Sequence, residues 1–230
     1  MKLDDRLNAV LNYIDKSDTV CDIGADHGYL SLAMLDKGVS LVQVVENKVG
    51  PLNNAKNNLK NYKNVIFSLN DGIENINDRI DTCVICGMGG YTIIDILKAH
   101  LERAKKFKKV ILQPNSHIEV LRQFLSDYGF KIIDEDLIEI EHHFYHLIVL
   151  NNEFLVKPYN EEEIMFGPCL LKKQPSSLLH KYQAIVDCYQ NVLKTNLNDE
   201  ERERITKDIN LIKNNINGVI IWKSKKFTII

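Results

Sequence analysis

Two β-rich runs with no helix between them, Phe130 to Ile140 and Phe144 to Leu150, end an otherwise regular alternation of strands and helices. Strands separated by only a few residues pair as an antiparallel hairpin, because a parallel return needs a long crossover. Upstream, β-branched apolar runs fall at 18–23, 41–46, 64–68, 81–86 and 108–113. Helical stretches lie between them at 28–37, 50–61, 91–104 and 116–128, and Leu7, Val10, Leu11 and Ile14 mark an opening helix. The pattern predicts an α/β domain with five parallel strands, helices between them and a terminal antiparallel hairpin, seven strands in all. A dinucleotide-binding domain would instead add a sixth parallel strand after another helix.

From about residue 158 the signal is helix alone. Leu178, Tyr182, Ile185, Tyr189 and Val192 form one apolar stripe, and Ile205, Ile209, Ile212, Ile216 and Val219 form a second with the same spacing. Two such stripes joined by a polar turn predict an antiparallel, coiled-coil-like helical hairpin, with Asn198 and Glu201 as a capping box opening its second helix. The expected domains are therefore 1–155 and 156–230. Trp222, Phe227, Ile229 and Ile230 form an apolar tail without a periodicity of its own.

With 230 residues, 45% hydrophobic and 26% charged, the chain has the composition of a globular protein and not of a disordered or fibrous one. It has no apolar run near the roughly 20 residues of a membrane helix. Its N-terminus carries no apolar signal core, so a cytoplasmic protein is expected. Five irregularly spaced cysteines make no disulfide framework. Cys83 and Cys86 sit three apart in a strand, on opposite faces, and His142, His143 and His146 alternate along another, so neither group is expected to bind metal. The net charge of −2 divides as 17 Lys/Arg against 21 Asp/Glu in residues 1–150 and 12 against 10 in 151–230, an asymmetry too mild to decide for or against a nucleic-acid partner.

In a doubly wound sheet, ligands bind beyond the carboxyl ends of the strands. The first strand breaks into Asp22-Ile23-Gly24-Ala25-Asp26-His27-Gly28, where small residues admit a ligand to the backbone and the following helix offers free N–H groups. Asp26 stands where a dinucleotide fingerprint carries its second glycine. An acid there repels pyrophosphate and suits an ammonium group or the amino hydrogens of a base. Glu46 and Asn47 follow the second strand, 22 residues beyond Gly24 in the case of Glu46, at the position of a ribose-binding acid. Asn70, Asp71 and Gly72 follow the third strand and read either as an adenine contact or as an ordinary Asp-Gly turn. Gly87, Met88, Gly89 and Gly90 follow the fourth as an open floor, and Gln113, Pro114 and Asn115 follow the fifth. His27 is a first-turn helix residue or a substrate contact. Arg103, Lys105, Lys106, Lys108 and Lys109 are a solvated helix end or a phosphate-binding patch, on the sheet end away from the cradle.

Asp22 to Leu30, Gly87 to Gly90, Leu112-Gln113-Pro114 and Phe166-Gly167-Pro168 together resemble the bacterial tRNA (adenine-22-N1)-methyltransferase family, nearly end to end. The family typically has Ser at Ala25, Ala at Gly28, Pro at Ser31 and Gly at Asn70, swaps that are mostly small for small. The resemblance implies a Rossmann-like class I methyltransferase sheet followed by a small helical domain, S-adenosylmethionine as cofactor and tRNA as partner, with no metal and no membrane. A monomer is slightly preferred. It further implies cofactor contacts from Asp22, Gly24, Ala25, His27, Glu46, Asn47, Asn70, Asp71, Gly72, Gly87, Met88 and Gly89. Asp26 would take the proton from the methylated base while Gln113 or Asn115 orients it, and Lys172, Lys173, Lys181 and Lys194 of the helical hairpin would contact tRNA phosphates. The alternatives are a methyltransferase of another RNA or a small molecule, a nicotinamide-dependent oxidoreductase and a non-catalytic tRNA scaffold.

Overall fold

A computed structural model describes residues 3–220, which leaves the apolar tail from Trp222 onward outside the described residues. The chain runs α1 (Asp5–Asn12), β1 (Thr19–Ile23), α2 (Tyr29–Lys37), β2 (Leu41–Glu46), α3 (Val49–Asn58), β3 (Val65–Leu69), β4 (Thr82–Gly89), α4 (Gly90–Ala99), α5 (Leu101–Ala104), β5 (Lys109–Ser116), α6 (Ile118–Asp127), β6 (Phe130–Ile140) and β7 (His143–Phe154). Four helices follow: α7 (Glu161–Phe166), α8 (Pro168–Lys173), α9 (Ser176–Val192) and α10 (Asp199–Asn215).

The seven strands form one sheet in the order β3-β2-β1-β4-β5-β7-β6. Strands β1 to β5 pair in parallel, while β7 runs antiparallel to both β5 and β6. Strand order reverses between β1 and β4, and a crevice opens at such a switch point. Both faces are covered, so inner strands are apolar at nearly every position. Cys21, Ile23, Cys83, Ile85, Val110 and Leu112 face one core, and Val20, Val42, Val44, Val84 and Ile111 face the other. Cys83 belongs to the first and Cys86 packs against the second, the opposite faces their spacing predicts.

Several element boundaries differ from expectation. β4 continues through the glycine segment to Gly89, with pairing irregular between Cys86 and Gly89, β5 runs on to Ser116 so that Gln113 to Asn115 lie within it, β7 extends to Phe154, and the helix expected over 91–104 breaks at His100 into α4 and α5. In the 103–109 basic cluster, Arg103 bonds Asp78 and two carbonyls, and Lys109 bonds Asp18 at 2.7 Å. Lys106 and Lys108 remain exposed.

The first compact unit ends at Cys169 and not at 155. Buried Arg122 on α6 pairs with buried Glu135 on β6 at 2.9 Å, and its Nη1 donates to the carbonyls of Ile164 and Met165 on α7. The Cys169 N–H donates to the second oxygen of Glu135, and the Tyr159 hydroxyl accepts from Ile132 N. This network also explains the Phe166-Gly167-Pro168 segment. Gly167 has φ 99°, and a Cβ there would lie 2.6 Å from Glu135 and 2.7 Å from Arg122, so only glycine fits.

The second unit, from Leu170, is a helical hairpin. Leu178, Tyr182 and Val186 of α9 are buried, as are Ile205, Ile209 and Ile212 of α10. On α9 the buried stripe uses Val186 where Ile185 was expected, the four-residue step of an α-helix instead of a heptad seam. The expected capping box is formed: Asn198 accepts from Glu201 N, and the Glu201 side chain accepts from Asn198 N. Lys172, Lys173 and Lys194 are exposed, and Lys181 lies over the Tyr182 ring.

Candidate active site

The β1–α2 turn is built on backbone geometry. Gly24, Asp26 and Gly28 have φ of 70°, 52° and 71°, so the chain curls tightly before α2 begins. Asp is among the few side-chain-bearing residues that enter this region readily. The Asp26 conformation is held from the next strand, because its N–H donates to the Glu46 carboxylate. Glu46, only 7% exposed, therefore fixes the first turn as well as ending β2, a dual placement that the sequence did not reveal. Asp22 is buried and accepts from Ser31 Oγ at 2.6 Å. Burial pushes its carboxyl up to about 6, against the lowering effect of the Ser31 bond and with an added push from the Glu46 charge. His27 lies in the turn ahead of α2 and not in its first helical turn, stacked on Tyr29 and 3.7 Å from the Asp26 carboxylate.

Two cavities open at the carboxyl ends of the strands. The smaller, about 540 Å³, is lined by Gly24, Glu46, Asn47, Asn70, Asp71, Gly72 and Met88. The larger, about 970 Å³, is lined by Asp22, Gly24, Ala25, Asp26, His27, Gly87 and Asn115. Gly24 lines both, and the Met88 methyl packs against it so closely that a Cβ on Gly24 would lie 2.2 Å away. Met88 and Gly24 thus form the partition between the chambers.

The chemistry of the smaller chamber is acceptor-rich. Glu46 and Asp71 contribute carboxylates, and Asn70 Oδ1 is buried without a hydrogen-bond partner among the described residues. A ligand offering hydroxyl and amino donors fits such walls. A pyrophosphate does not, since Asp22 and Asp26 would meet it across Gly24. An adenosine carrying a cationic tail matches both chambers.

Two expected site residues line neither cavity. Gly89 forms the N-cap of α4 and pairs with Ser116 behind the floor. Gln113 is fully buried. Its Oε1 accepts from Arg6 Nη1 at 2.6 Å and from Gly87 N at 3.2 Å, and its Nε2 donates to Pro114 O and to Asn115 Oδ1. Those four bonds use its full capacity, so Gln113 positions its neighbours and has no hydrogen bond left to offer a base. Asn115 is exposed at the cavity and donates to Gly87 O at 2.8 Å.

A protein-family model described as tRNA (adenine(22)-N(1))-methyltransferase matches residues 20–219. The chain belongs to this tRNA methyltransferase family. It is 28% identical over 229 residues to the tRNA (adenine(22)-N(1))-methyltransferase of Bacillus subtilis, covering 93% of this chain and 96% of that one. Streptococcus pneumoniae Sp1610 in complex with S-adenosyl-L-methionine superposes with a TM-score of 0.82 at 26% identity, over 94% of this chain and all of that one. The Mycoplasma capricolum TrmK structure, which holds S-adenosyl-homocysteine, gives 0.80 at 27% identity over 96% of this chain and all of that one.

In this family member the larger cavity has walls that sequence reasoning missed. Asp4, the N-cap of α1, and Arg6 within α1 reach it, and His142, His143, Phe144 and Tyr145 reach it from the β6–β7 hairpin. Glu141 and His142 form the hairpin turn itself, both left-handed at φ 48° and 65°, so His142 lies in the turn and only His143 and His146 in the strand that was expected to hold all three. His146 points elsewhere, buried beside Arg122. Among the described residues no three His, Cys, Asp or Glu side chains gather as a metal site.

Proposed function

We propose that this tRNA methyltransferase family member transfers a methyl group from S-adenosylmethionine to N1 of adenine 22 in tRNA, with the two chambers dividing the reactants. The observation that carries the assignment is the meeting of an acid-lined, acceptor-rich chamber and a larger open chamber at the single residue Gly24. Glu46 would accept from the ribose hydroxyls, Asp71 and Asn70 from the adenine amino group, and Asp22 from the ammonium of the cofactor's amino-acid end. When bound, S-adenosylmethionine supplies a methyl already activated on a cationic sulfur, which leaves the protein to position and to exclude water.

Adenine N1 lies on the Watson–Crick edge, so the target base must leave any pairing before it enters the larger chamber. Methylation leaves a positive charge on the ring. The Asp26 carboxylate, on the chamber wall, takes the N6 proton as the N–H electrons return to the ring, and passes it to water. The helical hairpin would hold the tRNA body through phosphate contacts from Lys172, Lys173, Lys181 and Lys194. A tRNA substrate supports a cytoplasmic location. The test is incubation with methyl-labelled S-adenosylmethionine and unmodified tRNA, followed by nucleoside mass spectrometry. Label in 1-methyladenosine at position 22 is expected, and label in another nucleoside, or none, would overturn the assignment.

A further inference from the structure

At the floor of the larger chamber, Gly87, Gln113 and Asn115 form a closed hydrogen-bonded ring, and Arg6 donates into it from outside and fixes its polarity. Arg6 has only donors, and so does the Gly87 N–H, so both must face the Gln113 oxygen, as observed at 2.6 and 3.2 Å. The Gln113 amide nitrogen is thereby turned toward Asn115 Oδ1, 3.1 Å away. Asn115 Nδ2 then closes the ring on the Gly87 carbonyl at 2.8 Å. Amide orientation is normally a matter of inference, but here a cation at one end and a backbone carbonyl at the other leave one arrangement. The strongest link is the charge-assisted one from Arg6, whose guanidinium also lies 5.9 Å from the Tyr145 ring centroid.

Each Asn115 group spends one bond in this ring. One N–H and one carbonyl lone pair remain on a side chain that is exposed at the chamber wall. A neighbouring donor and acceptor on a carboxamide complement N7 and the N6 amino group of adenine, the pairing by which Asn and Gln read that base. This edge excludes N1. Resting on the methyl-transfer assignment above, we propose that Asn115 is the residue that specifies adenine, accepting from N6–H and donating to N7 while N1 stays free, and that Arg6, through Gln113, is the positioning residue that holds Asn115 in that orientation. Guanine, with O6 in place of the amino group, would set two acceptors against the Asn115 oxygen and nitrogen and lose one bond.

The test compares tRNA carrying adenosine at the target position with tRNA carrying 7-deazaadenosine there. Loss of N7 leaves N1 and N6 in place and makes the ring more electron-rich, so slower methylation cannot come from a weaker nucleophile. Wild-type kcat/KM should fall about tenfold on the deaza substrate, the effect of one base-edge bond. Asn115→Ala should be slow on both substrates and show no further loss, with S-adenosylmethionine affinity by calorimetry reporting that the fold is kept. Arg6→Lys, still donor-only, should keep the tenfold preference, whereas Arg6→Met should reduce it. Equal wild-type rates on the two substrates, or a tenfold preference surviving in Asn115→Ala, would overturn the role of Asn115. An undiminished preference in Arg6→Met would overturn that of Arg6. A wild-type enzyme inactive on the adenosine tRNA would instead overturn the methyl-transfer assignment itself.

Discussion

Replacing Glu46 by Gln separates the two jobs this residue holds. The side chain keeps its shape and one oxygen, so the bond from Asp26 N–H survives as a neutral one. That bond lies within the protein and is taken to cancel between the free and bound states. Its weakening belongs to stability, where the difference between a charge-assisted and a neutral bond is roughly 1 kcal/mol, or a few degrees in the unfolding midpoint. Affinity depends on what the carboxylate offers the smaller chamber. Two ribose bonds accepted by an anion become one accepted by a neutral amide oxygen and one in which the hydroxyl must turn to accept from the amide N–H, a loss of roughly 1.5–3 kcal/mol, or about 10- to 150-fold in Kd. Titration calorimetry with S-adenosylmethionine and with S-adenosylhomocysteine decides the origin of the loss. Ribose is common to both ligands, so both should weaken equally. If only the cationic ligand weakens, Glu46 acts as a distant countercharge, and unchanged affinity for both would remove it from the ribose contact.

Four further outcomes are expected. Because Asp22 titrates near 6 when folded and lower when unfolded, the folded state holds the extra proton, and stability should fall as pH rises through roughly 4 to 6, a slope that Asp22→Asn removes in urea titrations. Above that range Asp22 is anionic, so wild-type affinity for S-adenosylmethionine should rise with pH toward neutrality. Asp26→Asn should bind tRNA normally by gel shift yet lose about 100-fold in single-turnover methylation, and a normal rate would exclude it as proton acceptor. Arg122→Ala removes the guanidinium that pairs with buried Glu135 and bonds the Ile164 and Met165 carbonyls, so the unfolding free energy should drop by about 3–5 kcal/mol in a denaturant titration; a change below about 1 kcal/mol would refute the tie it makes between α6, β6 and α7. A chain ending at Cys169 should bind S-adenosylmethionine by calorimetry but not tRNA by gel shift, and full tRNA affinity would refute the grip assigned to the helical hairpin.

Features carried by local periodicity were legible in the sequence. The alternation of apolar runs and helices located all seven strands to within a few residues, and the missing helix before Phe144 revealed the antiparallel end of the sheet. Residues just past strand ends were legible for the same reason, since Glu46, Asp71 and Asp26 need only the parallel sheet to converge. Contacts between remote segments were not. Arg6 reads as one cation on an amphipathic helix, and only the folded sheet brings it to Gln113, 107 positions away. The hairpin between Ile140 and Phe144 was legible, but Glu141-His142 lacks the Asn or Gly that usually announces two left-handed residues, so the conformation of the turn and the placing of His142 in it were not. Gln113 was expected just past the fifth strand, but β5 runs to Ser116 and holds it inside, buried under Arg6 and Gly87, which no spacing records.

The division of labour between the chambers is tested most directly by a crystal structure with S-adenosylhomocysteine and adenosine bound together. The ribose of S-adenosylhomocysteine is expected against Glu46 in the smaller chamber, with its sulfur beside Gly24, and the free adenosine base in the larger chamber with N1 toward that sulfur. A cofactor ribose in the larger chamber, or a base that turns N1 away from Gly24, would contradict it.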